Sequence, residues 1–424
     1  MVGSVAHGAK YYPVAGSGEK PARHRRRSGS GCRVLAIVSP VALPDARSLL
    51  GLLRSSSGEM VRELEELTSA ESPSSDLAAT AACAEVVAEM GKTSLAVAPE
   101  RIELAGRTHL RWRFGSAESR PPAVLLVGHF DTVWPLGTLS RWPFSLDGAG
   151  RATGPGCFDM KAGIVQMMHA LRLLDDLDGL AFVLTSDEEL GSPTSKALIE
   201  ETARGAGAAL VLEPSDGGAL KGARKGTSLY ELHIAGRAAH AGLEPERGLN
   251  ATVELAHQVL AICDLADAPG GTSVTPTVAS AGTTTNTVPA EASLHVDVRA
   301  WSLAEQSRVD EAMRRLTPRI AGSRLELLGG INRPPLEWSC SRRILPRAER
   351  LAESLGLAPL ESVEVGGGSD GNFTAAAGVP TLDGLGAVGG NAHAEGEWVL
   401  VDAMPERAGL LALLADELRR SPPG

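Results

Sequence analysis

The chain has 424 residues, of which 43% are hydrophobic, 22% are charged and 4% are aromatic. This length exceeds the roughly 250–300 residues at which a single core stops growing, so we expect two domains, or one domain with a large insertion. The composition excludes a disordered or fibrous chain, and the formal net charge of −10 argues against a dedicated nucleic-acid binder, which normally carries a basic face.

The cysteines and the N-terminal segment bear on location. Five cysteines are widely spaced with no CxxC pair, which favours a reducing compartment and a cytoplasmic location. The sequence contains no run of about 18 apolar residues, so we expect no contact with a membrane through a spanning segment. Residues 1–44 are predicted to form a disordered tail. Their basic stretch before a short apolar one also resembles an export signal, which is the alternative interpretation.

The first half of the chain predicts helices and then alternating strands and helices. Apolar residues recur at intervals of three and four between residues 45 and 92, with a break at 69–75, and predict two helices. Continuous apolar runs follow, which predict strands that are buried on both faces. The predicted elements are a strand at 124–127, a helix at 161–174, a strand at 181–184, a helix at 195–203 and a strand at 209–212. This order is typical of an α/β layered domain with a mostly parallel sheet.

After Gly226 the strands alternate apolar and polar residues, so one face of a second sheet is expected to contact water. The predicted elements are strands around 230–234, 272–280, 291–299 and 324–328 and helices at 249–265 and 303–319. The β-α-β-β-α-β order predicts a small ferredoxin-like α+β domain. We therefore divide the chain into an α/β domain, 45–226 and 337–424, and an inserted domain, 227–336.

Residues with metal-binding chemistry follow the predicted buried strands. In open α/β sheets ligands gather at the carboxyl ends of the strands. Residues at these ends and in adjoining loops are His129, Asp131, Asp159, Asp187, Glu188, Glu189, Glu213 and His393. A single loop histidine or a Glu-Glu pair is usually a solvated surface group, but the recurrence directly after buried runs favours a site. A mixed N/O set suits zinc, with cobalt or manganese as alternatives, and a bridging carboxylate would allow two metals.

These residues lie in motifs that resemble a known family. The motifs that show the resemblance are VGHFDTVWPLGTL at 127–139, GPGCFDMKAG at 154–163, SDEELGSPTS at 186–195, LEP at 212–214, AAHAGLEPERGLNA at 238–251 and GGGSDGNFTAAAGVPTLDGLGAVGGNAHAEGEWV at 366–399. From about residue 60 to the end, the chain resembles the dinuclear zinc exopeptidases and amidohydrolases. That family includes glutamate carboxypeptidase, aminoacylase, acetylornithine deacetylase and succinyl-diaminopimelate desuccinylase. The last string is most similar to the glutamate carboxypeptidase branch.

The resemblance implies a centre of two divalent metal ions per subunit. The metal ligands it implies are His129 and Glu213 on one ion, Glu189 and His393 on the other, and Asp159 as the bridge. It also implies that Glu188 is the general base and acid, and that Asp131 orients His129. A cis peptide is expected at Asp159-Met160. The family's Asp-x-Lys-Gly is Asp-Met-Lys-Ala here, a change that removes no ligand.

The resemblance also assigns roles outside the metal ligands. It implies that the inserted domain is a lid and dimerisation domain, so a homodimer is expected. His240 would reach the site of the partner subunit, and Asn286 and Arg299 would bind substrate. Lys221 lies near a substrate-binding lysine of the glutamate carboxypeptidases, although the spacing to Gly226 differs by one residue. Arg299 has the alternative interpretation of an ordinary surface cation.

The function implied is a metal-dependent hydrolase that cleaves an amide bond next to a C-terminal amino acid, as a glutamate carboxypeptidase does. Its substrate would be a small peptide or an N-acyl amino acid. The alternative within enzymes is an N-acyl-amino-acid deacylase or dipeptidase on the same scaffold. A non-catalytic binding protein with this fold is the alternative from another class, and it would not need the complete ligand set or Glu188.

Overall fold

The computed structural model describes residues 45–423, and the predicted tail at 1–44 lies outside them. The helices are α1 (Ala46–Ser55), α2 (Ser57–Ser69), α3 (Leu77–Leu95), α4 (Ala162–Leu171), α5 (Lys196–Ala203), α6 (Ala251–Cys263), α7 (Leu303–Arg314), α8 (Trp338–Ser341), α9 (Leu345–Leu355), α10 (Gly371–Ala376) and α11 (Met404–Arg420). In this part of the chain no helix is both long and apolar enough to cross a membrane.

The strands of the described residues form one six-stranded sheet, two four-stranded sheets and two two-stranded ribbons. They are β1 (Glu100–Leu104), β2 (Arg107–Arg113), β3 (Val124–His129), β4 (Ser145–Leu146), β5 (Arg151–Thr153), β6 (Leu180–Thr185), β7 (Ala208–Val211), β8 (Leu220–Arg224), β9 (Gly226–Ala235), β10 (Ala239–His240), β11 (Ser273–Ala281), β12 (Thr287–Val288), β13 (Glu291–Ala300), β14 (Arg324–Arg333), β15 (Ser362–Val365), β16 (Thr381–Leu382), β17 (Gly389–Gly390) and β18 (Trp398–Leu400).

The first sheet has the order β1-β2-β6-β3-β7-β16. Strands β6, β3, β7 and β16 run parallel, as the apolar runs predicted, and every residue of β3 and β6 is buried. The sequence analysis missed the antiparallel hairpin β1–β2, which extends the sheet next to β6. Its turn at Ala105 and Gly106 has positive φ at both residues, the geometry that two-residue hairpins favour. The sheet is therefore mixed.

Both faces of this sheet are covered by helices, which explains the continuous apolar runs. Leu126 contributes to a core that includes residues of α1–α4, α9 and α11, whereas its neighbour Val127 contributes to a smaller core with α5 and Phe373 of α10. All ten residues of α4 are buried. Because each strand sends successive side chains to opposite faces, polar side chains reach solvent only where the strands end.

The second sheet has the order β11-β13-β9-β14, with all neighbours antiparallel. With helices α6 and α7 it gives the predicted β-α-β-β-α-β arrangement, and Tyr230, Leu232 and Ile234 of β9 are buried. The opposite face carries polar side chains. After β8 the chain enters the second sheet, and after β14 it comes back to form β15, which pairs parallel with β8. The domain boundaries at 226 and 336 stay predictions.

The predicted ends of one helix and one strand that belong to the second sheet and its helices were wrong. Helix α7 ends at Arg314 and not at 319, because Pro318 has no backbone N–H and disfavours helical backbone at the residue before it. Strand β14 continues past residue 328 to Arg333, through Gly329 and Gly330, with a register shift after Ile331. That extension carries Arg333 towards the carboxyl ends of the first sheet.

Candidate active site

The last residue of the central strand β3 is His129, which is 1% exposed. Its Nδ1 lies 3.0 Å from the carbonyl oxygen of Asp131, which can only accept a hydrogen bond, so Nδ1 is the donor. Its Nε2 lies 3.3 Å from Asp159 Oδ1 and 3.5 Å from Glu213 Oε1. Burial lowers the pKa of His129, but the nearby carboxylates of Asp131, Asp159 and Glu213 raise it well above the usual value. We call His129, Asp159 and Glu213 the first ligand group.

A second ligand group consists of Asp159, Glu189 and His393. The Nε2 atom of His393 lies 3.3 Å from Asp159 Oδ2 and 3.1 Å from Glu189 Oε2. Hydrogen bonds to Asp159 and Glu189 raise the pKa of His393 to about 10. Asp159 thus presents one oxygen to each imidazole, and the two imidazoles lower its pKa in spite of its burial.

The two groups fit divalent metal ions. Within each group the potential ligand atoms lie within 4.8 Å of one another. Asp159 Oδ1 is buried, and its 3.3 Å contact with His129 Nε2 does not have hydrogen-bond geometry, so a cation bound by both atoms would satisfy them. One imidazole and two carboxylates per group, with one carboxylate in common, match the donor set that zinc, cobalt or manganese accepts. The peptide bond Asp159-Met160 is cis, as predicted.

Glu188 lies beside these groups without belonging to either. Its carboxylate oxygen Oε1 accepts a hydrogen bond from Arg333 at 2.8 Å, and burial raises its pKa well above the usual value. Its backbone N–H donates to Asp131 Oδ1, and the N–H of Glu189 donates to Asp131 Oδ2, both at 3.2 Å. The side chain of Asp131 therefore fixes the turn of the two glutamates, while its carbonyl oxygen orients His129.

Two buried arginines were missed by the sequence analysis. Arg333 donates to Glu188 and Ser192 at 2.8 Å and to Asp370 at 3.3 Å. Arg224 donates to both carboxylate oxygens of Asp383, at 2.8 and 2.9 Å, and to Glu213 Oε2 at 3.2 Å. Neither arginine lies in a motif that we quoted, and only the three-dimensional contacts show their relation to the ligands.

One cavity of about 440 Å³ joins the ligand groups to several cations. Lys221 and Arg299, both predicted to bind substrate, contribute to its wall with Arg224 and Arg333. Arg299 donates twice to Asp297 and once to Thr227. The Lys221 ammonium has no hydrogen-bond or ion-pair partner in the described chain, and burial lowers its pKa.

The structure brings His240 and Asn286 together but not to this cavity. Strand β10 with His240 pairs with β12, and the N–H of Ala241 donates to the carbonyl of Asn286 at 2.9 Å. Both residues are exposed, and neither lines the cavity. His240 Nδ1 accepts hydrogen bonds from the N–H groups of Gly242 and Leu243 at 3.1 Å, so the proton of the neutral ring lies on Nε2.

Comparison with known proteins agrees with this geometry. Residues 125–417 match the sequence profile of peptidase family M20/M25/M40. Carboxypeptidase G2 of Pseudomonas sp. (strain RS-16) is 32% identical over 309 residues, which are 70% of this chain and 74% of that protein. Succinyl-diaminopimelate desuccinylase of Nitrosococcus oceani is 26% identical over 66% of this chain and 80% of that protein.

The solved structures agree on the fold. An M20 family metallo-carboxypeptidase from Sulfolobus solfataricus superposes with a TM-score of 0.67 at 16% identity, over 85% of this chain and 99% of that one. Human carnosine dipeptidase 1 superposes with a TM-score of 0.62 at 14% identity, over 88% and 100%. At these identities the likeness concerns the fold alone. With the family profile covering most of its length, the chain belongs to peptidase family M20/M25/M40.

Proposed function

We propose that the protein is a metal-dependent carboxypeptidase that hydrolyses the amide bond before a C-terminal acidic amino acid. One observation carries this proposal: Asp159, which both ligand groups share, lines one cavity with the other ligands Glu189, Glu213 and His393, with Glu188 and with the unpaired Lys221. The relative that is 32% identical is named a carboxypeptidase, which supports the same reaction class.

The ligand groups would hold two divalent ions, with zinc as our first expectation and cobalt or manganese as alternatives. His129 and Glu213 would bind one ion, Glu189 and His393 the other, and Asp159 both. Ions bound there supply Lewis-acid polarisation of the scissile carbonyl and lower the pKa of water. Asp131 keeps His129 Nε2 directed at the ligand group, because the Nδ1 proton is held by the Asp131 carbonyl.

Glu188 is the group that moves the proton in this proposal. Its carboxylate takes a proton from the attacking water as the new C–O bond forms, and it returns that proton to the amine nitrogen as the C–N bond breaks. Burial raises the pKa of Glu188, which brings it nearer to neutral pH, where a base and acid of this kind works best. The hydrogen bond from Arg333 to Oε1 leaves Oε2 as the proton-carrying oxygen.

The cations of the cavity favour an acidic substrate. Lys221 is half-buried and its ammonium has no partner in the described chain, so a side-chain carboxylate of the substrate could pair with it in the cavity. Arg299 uses three of its five N–H donors on Asp297 and Thr227, so two remain for a second carboxylate. A C-terminal glutamate offers both carboxylates.

We also propose a homodimer in which His240 acts in the partner's site. His240 is exposed, does not line the cavity of its own subunit, and has an Nε2 proton without a partner in the described chain. These features support a donor for a substrate oxygen across an interface. Mixing tests this, since His240→Ala and Glu188→Gln subunits should each be inactive alone. After demonstrated subunit exchange, heterodimers would regain one intact site. Absence of any recovered activity would show that His240 does not act in trans.

A panel of substrates tests the main proposal against the deacylase and dipeptidase alternative. Protein loaded with zinc or cobalt is assayed on N-benzoyl-glutamate, N-acetyl-ornithine, N-acetyl-methionine and simple dipeptides. We expect the highest kcat/KM on N-benzoyl-glutamate, with Lys221→Ala losing that preference and Lys92→Ala, a change of an exposed lysine, keeping it. Faster turnover of N-acetyl-ornithine or of dipeptides would favour the alternative. No hydrolysis by metal-loaded protein would contradict the proposal.

A further inference from the structure

A buried carboxylate connects three loops around the ligand groups. The loops are residues 130–137, which follow His129, residues 154–161, which end in an irregular helical turn that contains Asp159, and residues 391–397, which contain His393. We call them the ligand loops. The carboxylate is that of Glu397, which is 0% exposed and lies outside both ligand groups.

Glu397 accepts four hydrogen bonds, two at each oxygen. Oε1 accepts from the N–H groups of Phe158 and Asp159, both at 2.8 Å. Oε2 accepts from the N–H of Gly156 at 3.1 Å and from the indole N–H of Trp134 at 2.9 Å. All four lone-pair directions of the carboxylate are therefore used, and the donors come from two loops other than its own.

These hydrogen bonds are made without a cation in direct contact. No lysine, arginine or histidine of residues 45–423 lies within ion-pair distance of Glu397, and the buried ammonium of Lys161 acts on it only through longer-range electrostatics. A buried carboxylate is costly unless every oxygen is satisfied, and here neutral N–H donors alone satisfy it. Such an arrangement fixes the positions of the donors, because each small displacement of a loop leaves a buried polar group without its partner.

The same residue also restrains the loop of His393. That loop contains Asn391 at φ 62° and His393 at φ 60°, a left-handed conformation that is uncommon for residues with side chains, although asparagine and histidine adopt it more readily than most. Glu397 N–H donates to the carbonyl of Ala394 at 3.1 Å, which closes the turn directly after His393. The next residue, Trp398, pairs with Thr153, at the start of the loop of Asp159.

We propose that Glu397 is a positioning residue that holds Asp159 and His393 at the separation the second metal ion requires. The proposal rests on the two-metal centre proposed above. Glu189, the remaining ligand of that ion, makes no hydrogen bond with Glu397, and its N–H donates to Asp131. Loss of the Glu397 carboxylate should therefore weaken the ion at the second ligand group most, while His129 and Glu213 retain the first.

The test is metal titration of chelator-treated, full-length protein with Zn²⁺ and Co²⁺ in the presence of a competing chelator. In Glu397→Gln, one carboxylate oxygen becomes an NH₂ group, which would face N–H donors in either orientation. We expect the second ion to bind at least about tenfold more weakly, with the first affected less. Glu395→Gln is the matched control, since it changes an exposed glutamate of the same loop that pairs with Arg141.

Excess metal separates a positioning role from general damage. We expect kcat of Glu397→Gln to return towards the wild-type value once both ions are bound. Persistent loss of kcat at full occupancy, or second-ion binding within twofold of wild type, would overturn the proposal. Wild-type protein that binds fewer than two ions would instead contradict the two-metal centre, so the two failures are distinguishable.

A milder variant decides the matter if Glu397→Gln does not fold. Trp134→Phe removes one of the four donors and keeps an aromatic ring against Trp142, whose centroid lies 4.9 Å away. We expect a several-fold weakening of the second ion without a change at the first. Equal affinities in the folded variant and wild type for both ions would overturn the proposal.

Discussion

Replacement of Glu188 by glutamine should abolish most turnover while leaving the fold and the metals in place. The amide oxygen of glutamine can still accept the hydrogen bond that Arg333 donates at 2.8 Å. Because Glu188 belongs to neither ligand group, both ions should stay bound. The lost function is therefore confined to proton transfer.

The expected loss of kcat can be estimated, because the substitution removes proton transfer alone. A positioned acid or base contributes about 10²–10⁴-fold to a rate, or about 3–5 kcal/mol at 1.36 kcal/mol per tenfold change. We expect kcat of Glu188→Gln to fall by this factor and KM to change little. Because the expected activity is so low, traces of wild-type protein would dominate the measurement, so the variant must be purified free of wild-type protein.

The assay compares kcat, metal content and thermal unfolding for wild type, Glu188→Gln and Glu118→Gln. Glu118 is an exposed glutamate, so its change controls for the loss of one negative charge. If Glu188→Gln contains two ions per subunit and its kcat stays within tenfold of wild type, Glu188 is not the proton carrier.

Three further predictions concern the ligands, the substrate cation and pH. Glu189→Ala and His393→Ala should each lower bound metal from about two ions per subunit towards one; unchanged metal counts in both would contradict the second ligand group. Arg299→Lys should mainly raise KM for substrates with a free carboxylate, since a guanidinium grips that group with two hydrogen bonds; equal losses on amidated substrates would show a different target. When the pH is lowered from 8 to 6, metal affinity should fall by up to about tenfold per pH unit for each proton that the metal displaces. His393, whose pKa is raised to about 10, holds such a proton, which must leave before its nitrogen binds a cation. Titrations at three pH values check this, and a pH-independent affinity would contradict it.

The parallel core of the fold was predictable because its signal is local. The runs at 124–127 and 181–184 are apolar without interruption, and both faces of β3 and β6 are buried beneath helices. The carboxyl ends of such strands are the places where polar side chains become exposed to ligands, so His129 and Glu213 could be predicted at one edge of the sheet, whereas their pairing was implied by the family resemblance. The structure brings them to 3.5 Å.

The β1–β2 hairpin gave a weaker local signal. In β2, charged or polar residues separate Leu110 and Trp112, as in a strand with one wet face, yet five of its seven residues are buried. Arg111 is buried there because Glu100 of the neighbouring strand accepts its hydrogen bonds at 2.9 and 3.1 Å. Cross-strand pairing of this kind stabilises a sheet but leaves no apolar run to recognise.

The supporting residues of the site could not be predicted, because their contacts join distant parts of the chain. Glu397 contacts Trp134 across 263 positions and Gly156 across 241. Arg333 reaches Glu188 only because β14 extends past Gly329 and Gly330. Periodicity and motif spacing carry no information about such pairs.

The central claim is that Asp159 is shared by two metal ions. It is tested most directly by anomalous scattering from crystals of the zinc-loaded protein, measured on both sides of the zinc absorption edge. We expect two peaks about 3.5–4 Å apart on either side of the Asp159 carboxylate, one beside His129 and Glu213 and one beside Glu189 and His393. A single peak, or peaks that do not touch Asp159, would contradict the account.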